Sequence, residues 1–416
     1  MSSNQPFLDV RMTGFRDKAQ VADVLRLLDS RTASLESESI SSLEAAGRVL
    51  AAPVYAAVNV PGFDRAAMDG YAVRAEDTLH PRSLTLVGEA MPARPFAGTV
   101  LSGQAVRVMT GAPLPAGADA VLVAEVAREE DGRVMACESV SPWRHVGRVG
   151  EDVAKGREVL PAGRRLRPQD VGLLASIGVA SVPVVRRPRV AVLVTGDELL
   201  PPGSVPEGYH IVDSNSPMLA ALIARDGGVC LPVRYVPDRY EAVRDAIRDA
   251  VADVVLVSGG SSVGKEDHAP RAVAELGELA VHGIALRPAS PAGIGFLPRA
   301  SLSLSPTLPL FLLPGNPVAC LCAYDLFAGR AIRRLGGRSW ELPYRTTTLL
   351  TAAKIASAFG RVEYVRVKIV RGEVEPIAAR GASILSSTVE ADGFVLVDRD
   401  RESLPPGEPV VVWLYD

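Results

Sequence analysis

Four cysteines in 416 residues are too few for a disulfide framework, and none of Cys137, Cys230, Cys320 and Cys322 forms a C-x-x-C pair. Cys320 and Cys322 are two apart, which on a helix points them in different directions. All four therefore read as small core residues and not as zinc ligands. Aromatic residues are scarce, at 5% of the chain, so the cores are expected to be built from Val, Leu, Ala and Ile. A large excess of either charge is missing too: a formal net charge of −3 counts against the basic surface of a nucleic-acid binder. Any anion must then be held by a local site and not by a global field. No run approaches the ~18 apolar residues of a membrane helix. No basic stretch followed by an apolar segment opens the chain, so neither signal peptide nor membrane contact is expected, and the expected location is cytoplasmic.

What is present is a change of texture along the chain, long enough for two to four domains at roughly 100–200 residues each. Val21, Val24, Leu25 and Leu28 follow helical spacing. A second helix is expected from Ser41 and Glu44 as a capping box, burying Leu43, Ala46 and Leu50 and stopping before Pro53. From 54 to about 140 the pattern is short β-like runs, clearest at 84–87, 106–109, 120–126 and 133–136. Residues 150–182 are mixed and are expected to pack back on the opening helices. After a turn-rich stretch at 183–188, strands and helices alternate. Strands are expected at 190–195, 229–236, 254–258 and 309–313, with helices led by Ser216-Pro217 and Asn316-Pro317 and a helix carrying Val243, Ala246, Ile247 and Ala250 between. Past Trp340 the chain is β again, with Val365, Val367 and Ile369 alternating with Arg366 and Lys368.

These patterns predict a multidomain α/β protein. It has a central, doubly wound, mostly parallel α/β domain, a β-rich lobe, an N-terminal helical segment and a small C-terminal β-barrel. The expected domains are 1–53 with 150–182, 54–149, 183–341 and 342–416.

In open α/β sheets, ligands bind outside the carboxyl ends of the strands. Thr195-Gly196-Asp197-Glu198 follows the first central strand and Pro237-Asp238 the second. Gly259-Gly260-Ser261-Ser262-Val263-Gly264, with Glu266 and Asp267, follows the third, and Pro314-Gly315-Asn316-Pro317 the fourth. Each loop alone also reads as ordinary punctuation or a helix cap. Together they say more. Backbone N–H groups of a Gly/Ser loop can close around a phosphate at a helix start. Carboxylates on the same rim would repel that phosphate unless a cation lies between. Asp197, Glu198, Asp238 and Asp267 therefore point to a Mg²⁺-type oxygen site beside a nucleotide phosphate. The residues themselves indicate a metal-assisted phosphate or nucleotide enzyme. In the β-rich lobe, residues 60–71, 109–112 and 150–152 mix polar and apolar side chains without either period, and on their own they read as structural loops.

Those lobe runs and the central loops occur in one order. Val60-Pro61-Gly62-Phe63-Asp64-Arg65-Ala66-Ala67-Met68-Asp69-Gly70-Tyr71 comes first, then Met109-Thr110-Gly111-Ala112-Pro113-Leu114-Pro115 and Gly150-Glu151-Asp152. Thr195-Gly196-Asp197-Glu198-Leu199, Asp213-Ser214-Asn215, the 258–264 loop and Leu313-Pro314-Gly315-Asn316-Pro317-Val318 follow. This order resembles the molybdopterin molybdenumtransferase family, the bacterial MoeA type related to the C-terminal region of gephyrin, over nearly the whole chain. The resemblance implies four structural domains and a homodimer, with a site between the central domain of one subunit and the lobe of the other. It implies insertion of molybdate into adenylylated molybdopterin with release of AMP, dependent on Mg²⁺. It also implies, as protein partners, the molybdopterin adenylyltransferase and molybdoenzyme apoproteins.

Position by position, the resemblance carries over Asp64, Thr110 and Asp152 on the lobe side and Glu198, Asp238 and Asp267 in the central domain. Asp64, Thr110, Asp152 and Glu198 are assigned to catalysis, and Asp238 and Asp267, with Asp197 from the strand-end reading, to the metal. The resemblance gives Arg287, Pro314 and Pro317 to the substrate and Arg361 and Ser383 to a more distant part of the molybdate pocket, while the loop and helix-start reading adds Gly259, Gly260, Ser262, Ser290 and Asn316 as substrate-binding residues. One segment departs. The family usually reads Lys-Pro-Gly-Lys-Pro where this chain has Arg287-Pro288-Ala289-Ser290-Pro291, and Gly283 occupies a further basic position. A charge-assisted hydrogen bond is worth about 1.5–3 kcal/mol, so Ser290 in place of Lys is expected to weaken molybdate binding roughly 10–100-fold. Ser290 can still donate to an oxyanion, and His282 stands nearby as a replacement cation, although a histidine there is more often simply an edge-strand residue. The alternative raised by this loop is a degenerate paralogue that binds molybdopterin or partners without inserting metal. A nucleotide amidohydrolase sharing only the central domain is opposed by the lobe motifs.

Overall fold

The computed structural model describes residues 17–80, 83–261, 267–298, 307–377 and 381–415. The chain forms two compact units, Ser39–Val184 and the remainder, Met1–Glu38 with Val185–Asp416.

The larger unit is organised by a seven-stranded sheet. Val229–Cys230, Arg234–Val236, Arg189–Thr195, Val254–Ser258 and Thr307–Leu313 run parallel, and Gly293–Pro298 and Glu278–His282 add an antiparallel edge. Four of these strands have continuous apolar runs because helices cover both faces. Leu219, Ile223, Phe311, Cys320 and Phe327 pack in one layer, and Val243, Ile247, Val257, Val273 and Leu310 in the other. The predicted strand at 229–236 is broken in two, with Leu231–Val233 between its pieces. The predicted helices are Asn215–Arg225, Tyr240–Arg248 and Pro317–Ala323.

Val24 and Leu28 of the opening helix Val21–Arg31 are buried in the core of this larger unit. The barrel closes in the order Val362–Val370, Glu373–Pro376, Arg345–Thr351, Pro409–Leu414 and Gly393–Val397, with the last strand pairing back to the first. A sixth short strand, Leu286–Arg287, runs parallel to Val362–Glu363.

The smaller unit holds a six-stranded sheet in the order Ala120–Val123, Gly70–Val73, Gln104–Val108, Ser83–Ala90, Arg133–Ala136 and Ala127–Glu130. Each predicted lobe run lies in or overlaps one of these strands. A second apolar cluster joins Leu50 and Val54 to Leu160, Leu166, Leu174 and Val182. The helix expected from Ser41 is only the 3₁₀ turn Ser42–Glu44. Ser41 Oγ accepts the Leu43 N–H at 3.3 Å, but Leu43 is 76% exposed and Ala46 is exposed too. Leu50 is buried through a bridge to Val184, so extended pairing takes precedence over helical spacing. Likewise 183–185 is no turn but the end of the strand Ser181–Val185, paired with Ser37–Ser41. Cys320 and Cys322 are buried as expected, whereas Cys137 is exposed. No helix among the described residues is long and apolar enough to cross a membrane.

Candidate functional site

The parallel register sets the carboxyl ends of four central strands level. Thr195 pairs with Val236, Val194 with Ser258, and Ser258 with Leu313. The loops that follow consequently leave from one edge and line a cleft of about 930 Å³. Its walls include Glu198, Asp213, Asp238 and Asp267, the glycines Gly259 and Gly260, and Pro314, Asn316, Pro317 and Ser383. No Lys or Arg is among the described residues lining it. Gly259 is required for the close approach of two strand ends. Its φ is +91°, and a Cβ there would lie 2.5 Å from the Thr195 carbonyl oxygen. Ser262, with the rest of 262–266, lies outside the described residues.

Asn215 ties three loops together. Its Nδ2 donates to Ser258 Oγ at 3.0 Å and to the Gly315 carbonyl at 2.8 Å. Asp213 Oδ1 accepts the N–H groups of Asn215 and Ser216, while Tyr235 donates its hydroxyl proton to Oδ2 at 2.9 Å. Asp213 is thus a buried cap that aims Asn215, a role its place in the Asp-Ser-Asn motif did not reveal. The Asp197 and Asp238 carboxylates each accept the other's backbone N–H at 3.2 Å, which joins their loops. Asp238 and Asp267 line the cleft and Asp197 does not. Among the described residues no three His, Cys, Asp or Glu side chains converge as a cation cage. The donor set is nonetheless hard oxygen, suited to Mg²⁺, which needs one or two carboxylates when a substrate phosphate and waters complete its octahedron.

A second cleft, of about 1050 Å³, shares Pro291, Pro314 and Asn316 with the first. Here the charges are inverted. Lys18, Arg287, Lys354, Arg361 and Arg366 line it against Asp17 and Glu363. Pairing of Leu286–Arg287 with Val362–Glu363 brings the two predicted arginines together on one carboxylate. Arg361 Nη2 lies 2.9 Å from Glu363 Oε1, and Arg287 Nη1 lies 3.4 Å from the same atom. Arg361 and Ser383, expected together, line different clefts, because Ala382 accepts the Val318 N–H and holds its segment at the start of the helix Pro317–Ala323. Ser290 lines the second cleft, and its Oγ is buried without a hydrogen-bond partner among the described residues. Ala289, in the same turn, has φ +93°.

His282 ends the edge strand Glu278–His282. It lines neither cleft, and its Nε2 lies 3.1 Å from the Ser261 carbonyl. Burial pushes its pKa below the ordinary imidazole value, against the smaller pull of the Ser261 contact and the Asp267 charge.

In the smaller unit, three motifs that looked like separate loops form one surface. Asp64 Oδ1 accepts the Val149 N–H at 2.8 Å, and its carbonyl accepts the Leu114 N–H. Thr110 donates both its N–H and its hydroxyl to Asp69 Oδ1 at 2.7 Å. The backbone bond and then the hydroxyl hold Asp69 below the usual carboxylate range. The N–H of Asp152 reaches the Val60 carbonyl, leaving its exposed side chain at the surface. Sequence reasoning named Asp64, Thr110 and Asp152 but not Asp69, the acid that orients Thr110.

Three family models match the chain in order: the MoeA N-terminal region (domain I and II) at residues 19–178, a probable molybdopterin binding domain at 191–334, and the MoeA C-terminal region (domain IV) at 348–415. The molybdopterin molybdenumtransferase of Haemophilus influenzae is 32% identical, over 93% of this chain and 96% of that protein. The Nostoc protein of the same name is 35% identical over 79% and 76%. A crystal structure of the molybdopterin biosynthesis moeA protein from Pyrococcus horikoshii OT3 superposes with a TM-score of 0.79 at 30% identity, covering 96% of this chain and all of that one.

Proposed function

We propose a function from one premise: this chain belongs to the molybdopterin molybdenumtransferase family. It inserts molybdate into adenylylated molybdopterin and releases AMP, the step that completes a molybdenum cofactor. The observation carrying this reading is the pair of clefts of opposite charge that share Pro291, Pro314 and Asn316. A reaction that couples cleavage of an adenylyl phosphate, with AMP leaving, to delivery of a tetrahedral oxyanion is served by two such compartments in contact.

In this reading Gly259, Gly260 and Ser262 hold the adenylyl phosphate through backbone and hydroxyl donors. Asp238 and Asp267 hold Mg²⁺ beside it, with Asp197 securing the Asp238 loop. The ion neutralises phosphoryl charge when bound. Glu198 faces the same phosphate. Arg287, Ser290 and the Asn316 helix start gather molybdate, with Arg361 deeper in the second cleft and Ser383 on the first. The working form is a homodimer in which Asp64, Thr110 and Asp152 of a second copy act on the pterin end. Its domains follow the four-part division at 53, 149, 182 and 341.

The test is molybdate-dependent AMP release from adenylylated molybdopterin by the purified protein. Release that rises with molybdate and saturates is expected. If the substrate is bound but never cleaved at any molybdate concentration, the transfer reading falls and a molybdopterin-binding paralogue takes its place. The dimer has its own test. Asp64→Asn and Glu198→Gln should each be inactive, and co-expression should restore up to about a quarter of the sites, because a closed twofold dimer repeats each composite site. Proven heterodimers without recovery would overturn the shared arrangement.

A further inference from the structure

In the second cleft the 287–291 segment carries one cation, Arg287, where the family motif places two. Ser290 offers a neutral hydroxyl, buried and without a partner among the described residues, and Gly283 offers no side chain. The arginines present are already engaged. Arg287 and Arg361 divide one Glu363 carboxylate, and the largely buried Arg366 donates to Ser387. The cleft also holds two exposed lysines, Lys18 just before the opening helix and Lys354 in the turn after the strand Arg345–Thr351. Neither forms an ion pair with a described residue.

Resting on the transferase reading above, we propose that Lys354, assisted by Lys18, supplies molybdate with the ammonium charge that Ser290 and Gly283 withhold. A lysine is a compact point charge on a flexible four-carbon stem, so it can reach a shared anion from a neighbouring turn as well as from the 287–291 segment itself. A guanidinium already shared through Glu363 presents less net charge to the same anion. The Ser290 hydroxyl then acts as a neutral donor in the same cleft. The specificity for a doubly charged oxyanion thus comes from a barrel turn and the chain's opening segment.

The experiment is calorimetric titration of sodium molybdate into the purified full-length protein, beside its AMP-release assay. Lys354→Met should raise the molybdate Kd about 10-fold or more, and the double variant with Lys18→Met should raise it further. Lys354→Arg, which keeps the charge, should stay within about 3-fold of wild type. Adding Ser290→Lys to Lys354→Met should restore binding, and should gain more there than in wild type, because the two cations serve one anion. Both lysines are exposed, so the melting curves of the Lys354 and Lys18 variants should match wild type. If wild type binds molybdate and releases AMP while Lys354→Met and the double variant bind as tightly, the lysine assignment is overturned and the transferase reading stands. If wild type neither binds molybdate nor releases AMP, both fall together.

Discussion

The two clefts of the larger unit share a wall but are assembled in opposite ways. The acidic one is lined by loops that leave the ends of parallel strands, and the sheet register alone brings Glu198, Asp238, Gly259 and Pro314 to one edge. The cationic one draws Lys18, Arg287, Lys354 and Arg361 from segments far apart in the chain, gathered because the barrel strand Val362–Val370 pairs with Leu286–Arg287. A sheet edge therefore makes a site whose members are announced by short motifs. A docking seam makes one whose members carry no local signal. It also makes a site that tolerates exchange, since a cation lost from one segment can be regained from another.

Four measurements break or sharpen that contrast. The largest effect belongs to the acidic cleft. Asp267→Asn should cut AMP release at least about 100-fold while keeping the Tm within a few degrees, since a surface-loop change is usually worth no more than ~0.5 kcal/mol. Full activity in that variant, or in EDTA, would remove the metal from the reading. The cationic cleft should respond by degree. Ser290→Lys should lower the molybdate concentration for half-maximal AMP release by no more than about 3-fold and leave the maximal rate nearly unchanged, because Lys354 already supplies a cation to the same oxyanion. A changed maximal rate with unchanged half-saturation would place Ser290 beside the phosphate instead.

A smaller effect tests the turn itself. Ala289 holds φ +93°, in the left-handed region that favours glycine. Relief of roughly 1–2 kcal/mol of strain exceeds the roughly 0.5–1 kcal/mol that glycine loses in chain entropy. Ala289→Gly should accordingly raise the Tm by about 2 °C, and a fall would show that the buried methyl outweighs the strain. The smallest effect is an expected constancy. With its pKa lowered by burial, His282 is neutral at pH 7. His282→Gln should leave molybdate half-saturation within about 2-fold of wild type from pH 6.5 to 8. A tenfold loss confined to the lower pH would restore His282 as a cation.

Much of this molecule was legible in its sequence. Continuous apolar runs such as 254–258 and 309–313 meant strands buried on both faces, and the loops after them located the acidic cleft. The alternation at 365–369 announced the barrel wall. The misreadings have physical causes. The Ser41–Glu44 spacing matched a helix start, but the pairing of Leu50 with Val184 buries it as extended chain and leaves Leu43 in water. Asp69 and Asp213 were overlooked because their task is to accept N–H groups from neighbouring backbone, which no residue pattern announces. His282, by contrast, ends an edge strand, the plainer of its two readings.

By itself the sequence determined the order of strands and helices, the motif loops at strand ends and the absence of lysine from positions 283 and 290, since hydrophobic period and chain order are local properties. Tertiary structure decided which charges share a compartment. It seated Arg287 and Arg361 on one Glu363, sent Ser383 to the acidic cleft, and brought Lys18 and Lys354 to the cationic one. Electrostatic interaction depends on distance through space, and only strand pairing across hundreds of residues sets that distance.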